Sequence, residues 1–261
     1  MLLHRAVLAM FCILVFSAQV EAKIQWQSIP YKHGEIELEG GLAWDDSITG
    51  KRPGILVVHE WWGLNDYARK RAEQLAALGY VAFAVDMYGK GKVTDHGDQA
   101  SQWAKEVTTN VSVWQARALE GLKVLEAHPQ VNPQKLAAIG YCFGGATVMQ
   151  LVYSGAPVKG VVSFHGSLPI PPKSQTINSA AKVLIAHGEA DPFLTAEHIR
   201  NFQSSLGRSG LDWHMVIYGG AQHSFTNPSA NQYGMKGVQY QEQADRRSWK
   251  HMRVFFDEIF Q

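Results

Sequence analysis

Carbonyl chemistry by a side chain needs a nucleophile, a base to manage its proton, and a carboxylate to hold the base. The chain offers a thiol for the first role, in Gly140-Tyr141-Cys142-Phe143-Gly144-Gly145. Small residues two positions either side of Cys142 suit a sharp turn in which a strand and a helix approach closely. A helix starting just after the thiol would aim its positive end at Cys142 and favour thiolate. The N–H of Phe143 would then face a developing oxyanion. Imidazole and carboxylate candidates follow downstream, in Gly219-Gly220-Ala221-Gln222-His223 and in the stretch holding Glu189 and Asp191.

Those groups act together only if the chain brings them to one place. Gly54 to His59 and Tyr80 to Val85 are short, nearly continuous apolar runs, as expected of strands buried on both faces. Asn65 or Asp66 can cap a helix running to about Leu78, and Gly79 stops it. After a loop from Tyr88 to Gly97, helical sequence runs from Gln99 to Ala127. Lys135 to Ile139 reads as a strand and Phe143 to Tyr153 as an apolar helix. Val158 to Phe164, Lys182 to Ala186 and Trp213 to Tyr218 are further strands. Thr195 caps a helix carrying Ile199, Phe202 and Leu206. The last helix shows the stripe Met252, Phe255, Phe256, Ile259.

Strands alternating with helices predict an α/β architecture: a mainly parallel central sheet with helices on both faces. Functional groups in such folds gather beyond the carboxyl ends of the strands. With the elbow at Cys142 this is the α/β-hydrolase pattern, whose chain order is nucleophile, acid, base. His198 and His251 fall in helices and His214 in a strand. His223 alone among the downstream histidines sits in a loop after a strand. Asp191, stiffened by Pro192, is the chosen acid over Glu189. His59, His165 and His187 lie near strand ends and read as structural. Trp61, Trp62 and Phe143 offer apolar or aromatic surface for an acyl group.

These segments resemble the dienelactone hydrolase family. The likeness includes the cysteine elbow, the loop at Asp191, Gly220-Ala221-Gln222-His223-Ser224-Phe225, and Val57-Val58-His59-Glu60-Trp61-Trp62-Gly63-Leu64-Asn65. It covers roughly His33 to the end of the chain. The resemblance implies that Glu60 lies beside the thiol and helps to activate it, and that the N–H of Trp61 is a second oxyanion donor. It departs in one respect. Members acting on dienelactone carry arginines that clamp a carboxylate, one of them shortly after the base. Here that stretch is His223-Ser224-Phe225-Thr226-Asn227-Pro228, and the loop near Tyr88 holds Lys90 and Lys92 instead. Lysine lacks the planar fork of arginine. The natural substrate is therefore an unidentified small ester or lactone, and dienelactone itself is disfavoured.

The chain has 261 residues, with 24 Lys and Arg against 23 Asp and Glu. A net charge of +1 without a basic run gives no electrostatic case for nucleic acid or an anionic membrane. Residues 1–22 have the anatomy of a secretory signal: Arg5, the apolar stretch Ala6 to Phe16, and Val20-Glu21-Ala22 at the cut. The expectation is an exported protein, periplasmic or secreted, with residues 23–261 as one domain that is not held in a membrane. Of the two cysteines, Cys12 would leave with the signal, so Cys142 would stay unpaired. No dense metal-ligand spacing is present, and no cofactor is implied. A monomer or small homo-oligomer is expected. The rivals to an ester hydrolase are a thiol redox or peroxide-handling protein and a non-catalytic ligand-binding protein on a hydrolase scaffold.

Overall fold

A computed structural model describes residues 23–171, 177 and 180–261. The expected export segment, residues 1–22, lies outside them. The first two elements are β1 (Ile24–His33) and β2 (Ile36–Asp45), followed by β3 (Arg52–Val58), α1 (Asp66–Ala77) and β4 (Val81–Val85). Next come α2 (Gly97–Thr108), α3 (Val111–Glu126), β5 (Val131–Tyr141) and α4 (Phe143–Tyr153). The chain continues through β6 (Gly160–Phe164), β7 (Lys182–Gly188), α5 (Ala196–Ser209), β8 (Asp212–Tyr218) and α6 (Glu242–Ile259).

The strands form one sheet in the order β1-β2-β4-β3-β5-β6-β7-β8. Pairing is parallel from β4 through β3 to β8, and antiparallel where β2 meets β4 and β1. Alternation along each strand splits the core between two faces. In β3, Leu56 and Val58 face α3, α4 and α5. Ile55 and Val57 face the opposite way, toward Ala72 and Leu75 of α1 and the predicted stripe Met252, Phe255, Phe256 of α6.

Two expectations are corrected. The hairpin β1–β2 is absent from the strand runs read in the sequence. In IQWQSIPYKH half-buried and exposed residues mix and Pro30 interrupts, and in IELEGGLAWD polar residues and Gly40-Gly41 interrupt, so neither is a clean apolar run. The long helical stretch from Gln99 to Ala127 is two helices. Thr109 closes the first, and Asn110 caps the second, its side chain accepting from the N–H groups of Ser112 and Val113.

Candidate active site

Cys142 stands between β5 and α4 with φ 53° and ψ −112°, a strained conformation for a residue with a side chain. Both flanking glycines are forced. A Cβ on Gly140 would lie 2.0 Å from the Gly144 carbonyl oxygen, and one on Gly144 would lie 2.2 Å from that of Val58. Cys142 is half-buried and unpaired. Among the described residues, the backbone N–H groups of Phe143 and Trp61 make no hydrogen bond within the chain, so both remain available to an oxyanion.

His223 follows β8 in a loop fixed at both of its backbone groups. Its N–H donates to Gly237 at 3.0 Å, and its carbonyl accepts from Gln239 at 3.0 Å. Nδ1 meets Asp191 Oδ2 at 2.7 Å. The Asp191 carboxylate is fully shielded, and its other oxygen accepts the Phe193 N–H at 2.9 Å. Glu189, the alternative acid, instead accepts from the exposed backbone of Gly220 at 3.2 Å. Burial opposes charge on His223. The neighbouring Cys142 sulfur and Asp191 outweigh that penalty and push the imidazole up to about 10. With Nδ1 committed to the carboxylate, Nε2 is the nitrogen left to serve the thiol.

Glu60, just beyond β3, is buried with both oxygens occupied. Oε1 accepts from Ser224 Oγ at 2.7 Å and Oε2 from Asn227 Nδ2 at 2.6 Å. Burial raises its pKa above the usual carboxylate range, against the pull of these two donors and of the charges on His223 and Arg71. The family resemblance implies a partnership with the thiol; here the carboxylate is bonded to the loop that carries the base.

Trp61, Trp62, Phe193, Met235 and Val238 enclose a cavity of about 190 Å3 that Cys142, His223 and Ser224 complete. Among the described residues no arginine or lysine lines it. Lys90 pairs with Glu39 at 3.0 Å, and Lys92 lies over the Trp103 ring. Trp62 stacks on Tyr233 at 4.1 Å between ring centres. The Phe143 ring is a correction: it packs into the core against His59, Tyr88 and Trp114, and only its backbone faces the site. Phe193, Met235 and Val238 were not read from the sequence. They sit in loops with no periodicity, and a lone apolar residue in a loop carries no signal of what it faces.

His59, His165 and His187 are all buried. His59 bridges the Glu60 carbonyl and the Met87 N–H, and His165 accepts the Cys142 N–H at 3.1 Å. Burial lowers the pKa of each of the three. His198, His214 and His251 bond or pack elsewhere, against Leu168, Phe255 and Tyr218. Among the described residues no group of three or more His, Cys, Asp or Glu is placed to hold a metal ion, and no helix is long and apolar enough to cross a membrane.

The family model described as "Dienelactone hydrolase family" matches residues 38–260. The solved structure of a dienelactone hydrolase-like promiscuous phosphotriesterase from metagenomic libraries is 36% identical and superposes with a TM-score of 0.87, covering 92% of this chain and 99% of that one. A putative carboxymethylenebutenolidase of Aquifex aeolicus is 26% identical, over 77% of this chain and 87% of its own. A thermophilic esterase from Thermogutta terrifontis, 19% identical with a TM-score of 0.65 over 89% of this chain and 94% of its own, shares the fold.

Proposed function

The chain belongs to the dienelactone hydrolase family, and from that premise we propose that it hydrolyses small, neutral carboxylic esters or lactones through an acyl group carried on Cys142. The observation that carries this proposal is the convergence of a half-buried thiol on a strained turn, a histidine beside it, and a carboxylate 2.7 Å from that histidine's far nitrogen.

The Cys142 thiolate attacks the carbonyl carbon, and the N–H groups of Phe143 and Trp61 receive the oxyanion. The intermediate collapses by breaking the C–O bond, and the departing alkoxide takes its proton from the His223 imidazolium. Neutral His223 then removes a proton from water, which attacks the thioester and releases the acid and the thiolate. Asp191 holds the imidazole with Nδ1 protonated throughout. Thiolate leaves more readily than an amine, so amides are poor substrates. The cavity has apolar walls, no lysine or arginine among the described residues of its lining, and the buried Glu60 carboxylate behind it. An anionic acyl group would enter it without a partner, which favours uncharged substrates.

The test is brief reaction with p-nitrophenyl acetate followed by mass spectrometry, beside Cys142→Ala. An acetyl adduct on Cys142 that clears with time, and loss of nitrophenol turnover in the variant, are expected. Full turnover in Cys142→Ala would refute the thiol as nucleophile.

The apolar cavity also favours a second reaction of the same thiol. Neutral phosphotriesters carry apolar arms and no charge, and the 36% identical structure bears the description of a promiscuous phosphotriesterase. Attack on phosphorus would expel the aryloxide and leave a phosphoryl group on sulfur. Diethyl 4-nitrophenyl phosphate should release nitrophenol and add a diethylphosphoryl group to Cys142. A nitrophenol signal that persists in Cys142→Ala would count against it.

A further inference from the structure

The loop that carries His223 is tied to the Cys142 turn by a second set of side chains. Thr226 Oγ1 lies 2.7 Å from His165 Nε2 and 2.6 Å from the Tyr67 hydroxyl. The other ring nitrogen, His165 Nδ1, accepts the backbone N–H of Cys142 at 3.1 Å, an N–H that also donates to the Phe164 carbonyl at 3.0 Å. An Nδ1 that accepts places the ring proton on Nε2, where it is donated to Thr226. Arg71 completes the tie from α1. It donates to the Thr226 carbonyl at 2.6 Å and pairs with Asp245 of α6 at 2.5 Å. Arg71, His165 and Thr226 are all buried.

Backbone strain marks the same place. Cys142, His165 and Ser224 are non-glycine residues with φ of 53°, 41° and 56°. Such conformations persist only where the surroundings over-determine them. We propose that His165 and Thr226 are positioning residues, locking the strained turn of Cys142 to the loop that carries His223 and so fixing the thiol against its base. The proposal rests on the thiol-hydrolase function above. Burial, with the charges of His223 and Arg71 adding to it, holds His165 well below the ordinary histidine range. The ring therefore stays a neutral acceptor for the Cys142 N–H when His223 becomes charged.

Thr226→Val keeps the shape and removes the hydroxyl; Thr226→Ser restores the hydroxyl and removes the methyl. Two readouts are compared with wild type: kcat and KM for p-nitrophenyl acetate, and the rate of Cys142 alkylation by iodoacetamide across pH. Thr226→Val should lower both kcat and the alkylation rate by roughly tenfold or more, with KM changed by less than about twofold. Thr226→Ser should recover most of the loss. A folded Thr226→Val with both rates within about twofold of wild type would overturn the proposal, as would a Thr226→Ser that stays as slow as the valine variant. If Thr226→Val does not fold, His165→Asn decides by the same two rates, because it cannot span from Cys142 to Thr226. Alkylation does not depend on ester hydrolysis. Wild type that alkylates at Cys142 but never forms an acetyl adduct would sink the hydrolase function while leaving the positioning proposal to the alkylation rates.

Discussion

Asn227 Nδ2 lies 2.6 Å from Glu60 Oε2, so a neutral amide from the His223 loop faces the buried carboxylate. Asn227 and Ser224 together make the burial of Glu60 tolerable, because each donates to one carboxylate oxygen. Asn227→Leu removes a donor and leaves the acceptor buried. It should destabilise the fold by roughly 2–3 kcal/mol. Glu60 already has a raised pKa, and the variant raises it further. The unfolded chain ionises freely above the ordinary carboxylate value while the folded chain resists, so the loss should grow as pH rises from 5 to 8. Urea unfolding of wild type and variant at the two pH values measures it. A loss independent of pH would mean that the carboxylate is not the group affected.

In the proposed mechanism Asp191 acts on rate through His223. The folded imidazolium is favoured up to about 10. That contribution to stability is complete below the ordinary value of 6.5 and is lost as pH rises through about 10. The same proton is needed by the leaving alkoxide, so kcat/KM should fall on the alkaline side with a midpoint near 10. Asp191→Asn should reduce kcat by roughly 10²–10⁴-fold and move the alkaline limb to lower pH. An unmoved limb would separate Asp191 from the histidine's charge.

Three neutral histidines make the fold sensitive to acid. Burial lowers His59, His165 and His187 below their ordinary value of 6.5. Below that pH the unfolded chain takes up protons that the folded chain refuses. Stability is therefore full above about 6.5 and lost as pH falls, at up to about 1.4 kcal/mol per pH unit for each histidine. Glu60, shifted upward, works in the opposite sense nearer its own range, so the comparison is between variant and wild type. Among the described residues His187 Nδ1 has no hydrogen-bond partner, so His187→Leu breaks no hydrogen bond at that nitrogen. Its stability curve below pH 6.5 should be shallower than wild type by about one histidine's share. Parallel curves would refute the effect.

Gly140→Ala should cost roughly 3 kcal/mol or more. The added carbon would lie 2.0 Å from the Gly144 carbonyl, and backbone cannot move aside as a flexible side chain can. Chemical denaturation reads the loss directly. Gly207→Ala, where nothing lies within 4 Å of an added Cβ, is the matched control and should be neutral or better.

Export is proposed from residues 1–22 alone. Protein recovered outside the cytoplasm should begin at Lys23 on N-terminal sequencing. Recovery with Met1 in the membrane fraction would instead mean an uncleaved anchor.

Much of the architecture is legible in the amino-acid order because its signals are local. Buried parallel strands such as YVAFAV are continuous apolar runs, and α6 carries its apolar face every three or four residues. The elbow is equally local: glycines at 140 and 144 answer to contacts within a few residues or with the adjacent strand. Chain order then selects Cys142, Asp191 and His223, and the structure brings all three together.

What tertiary structure decided depends on partners far apart in sequence. Glu60 is paired with Ser224 and Asn227, more than 160 positions away. His165 supports the Cys142 turn because β5 and β6 are neighbours and because Thr226 closes on it from beyond β8. Phe193, Met235 and Val238 become cavity walls only when two separate loops, one after β7 and one before α6, converge. No periodicity or capping pattern encodes such meetings. Their free energy comes from contacts that form when the sheet aligns its strand ends, and the sheet order sets which residues meet.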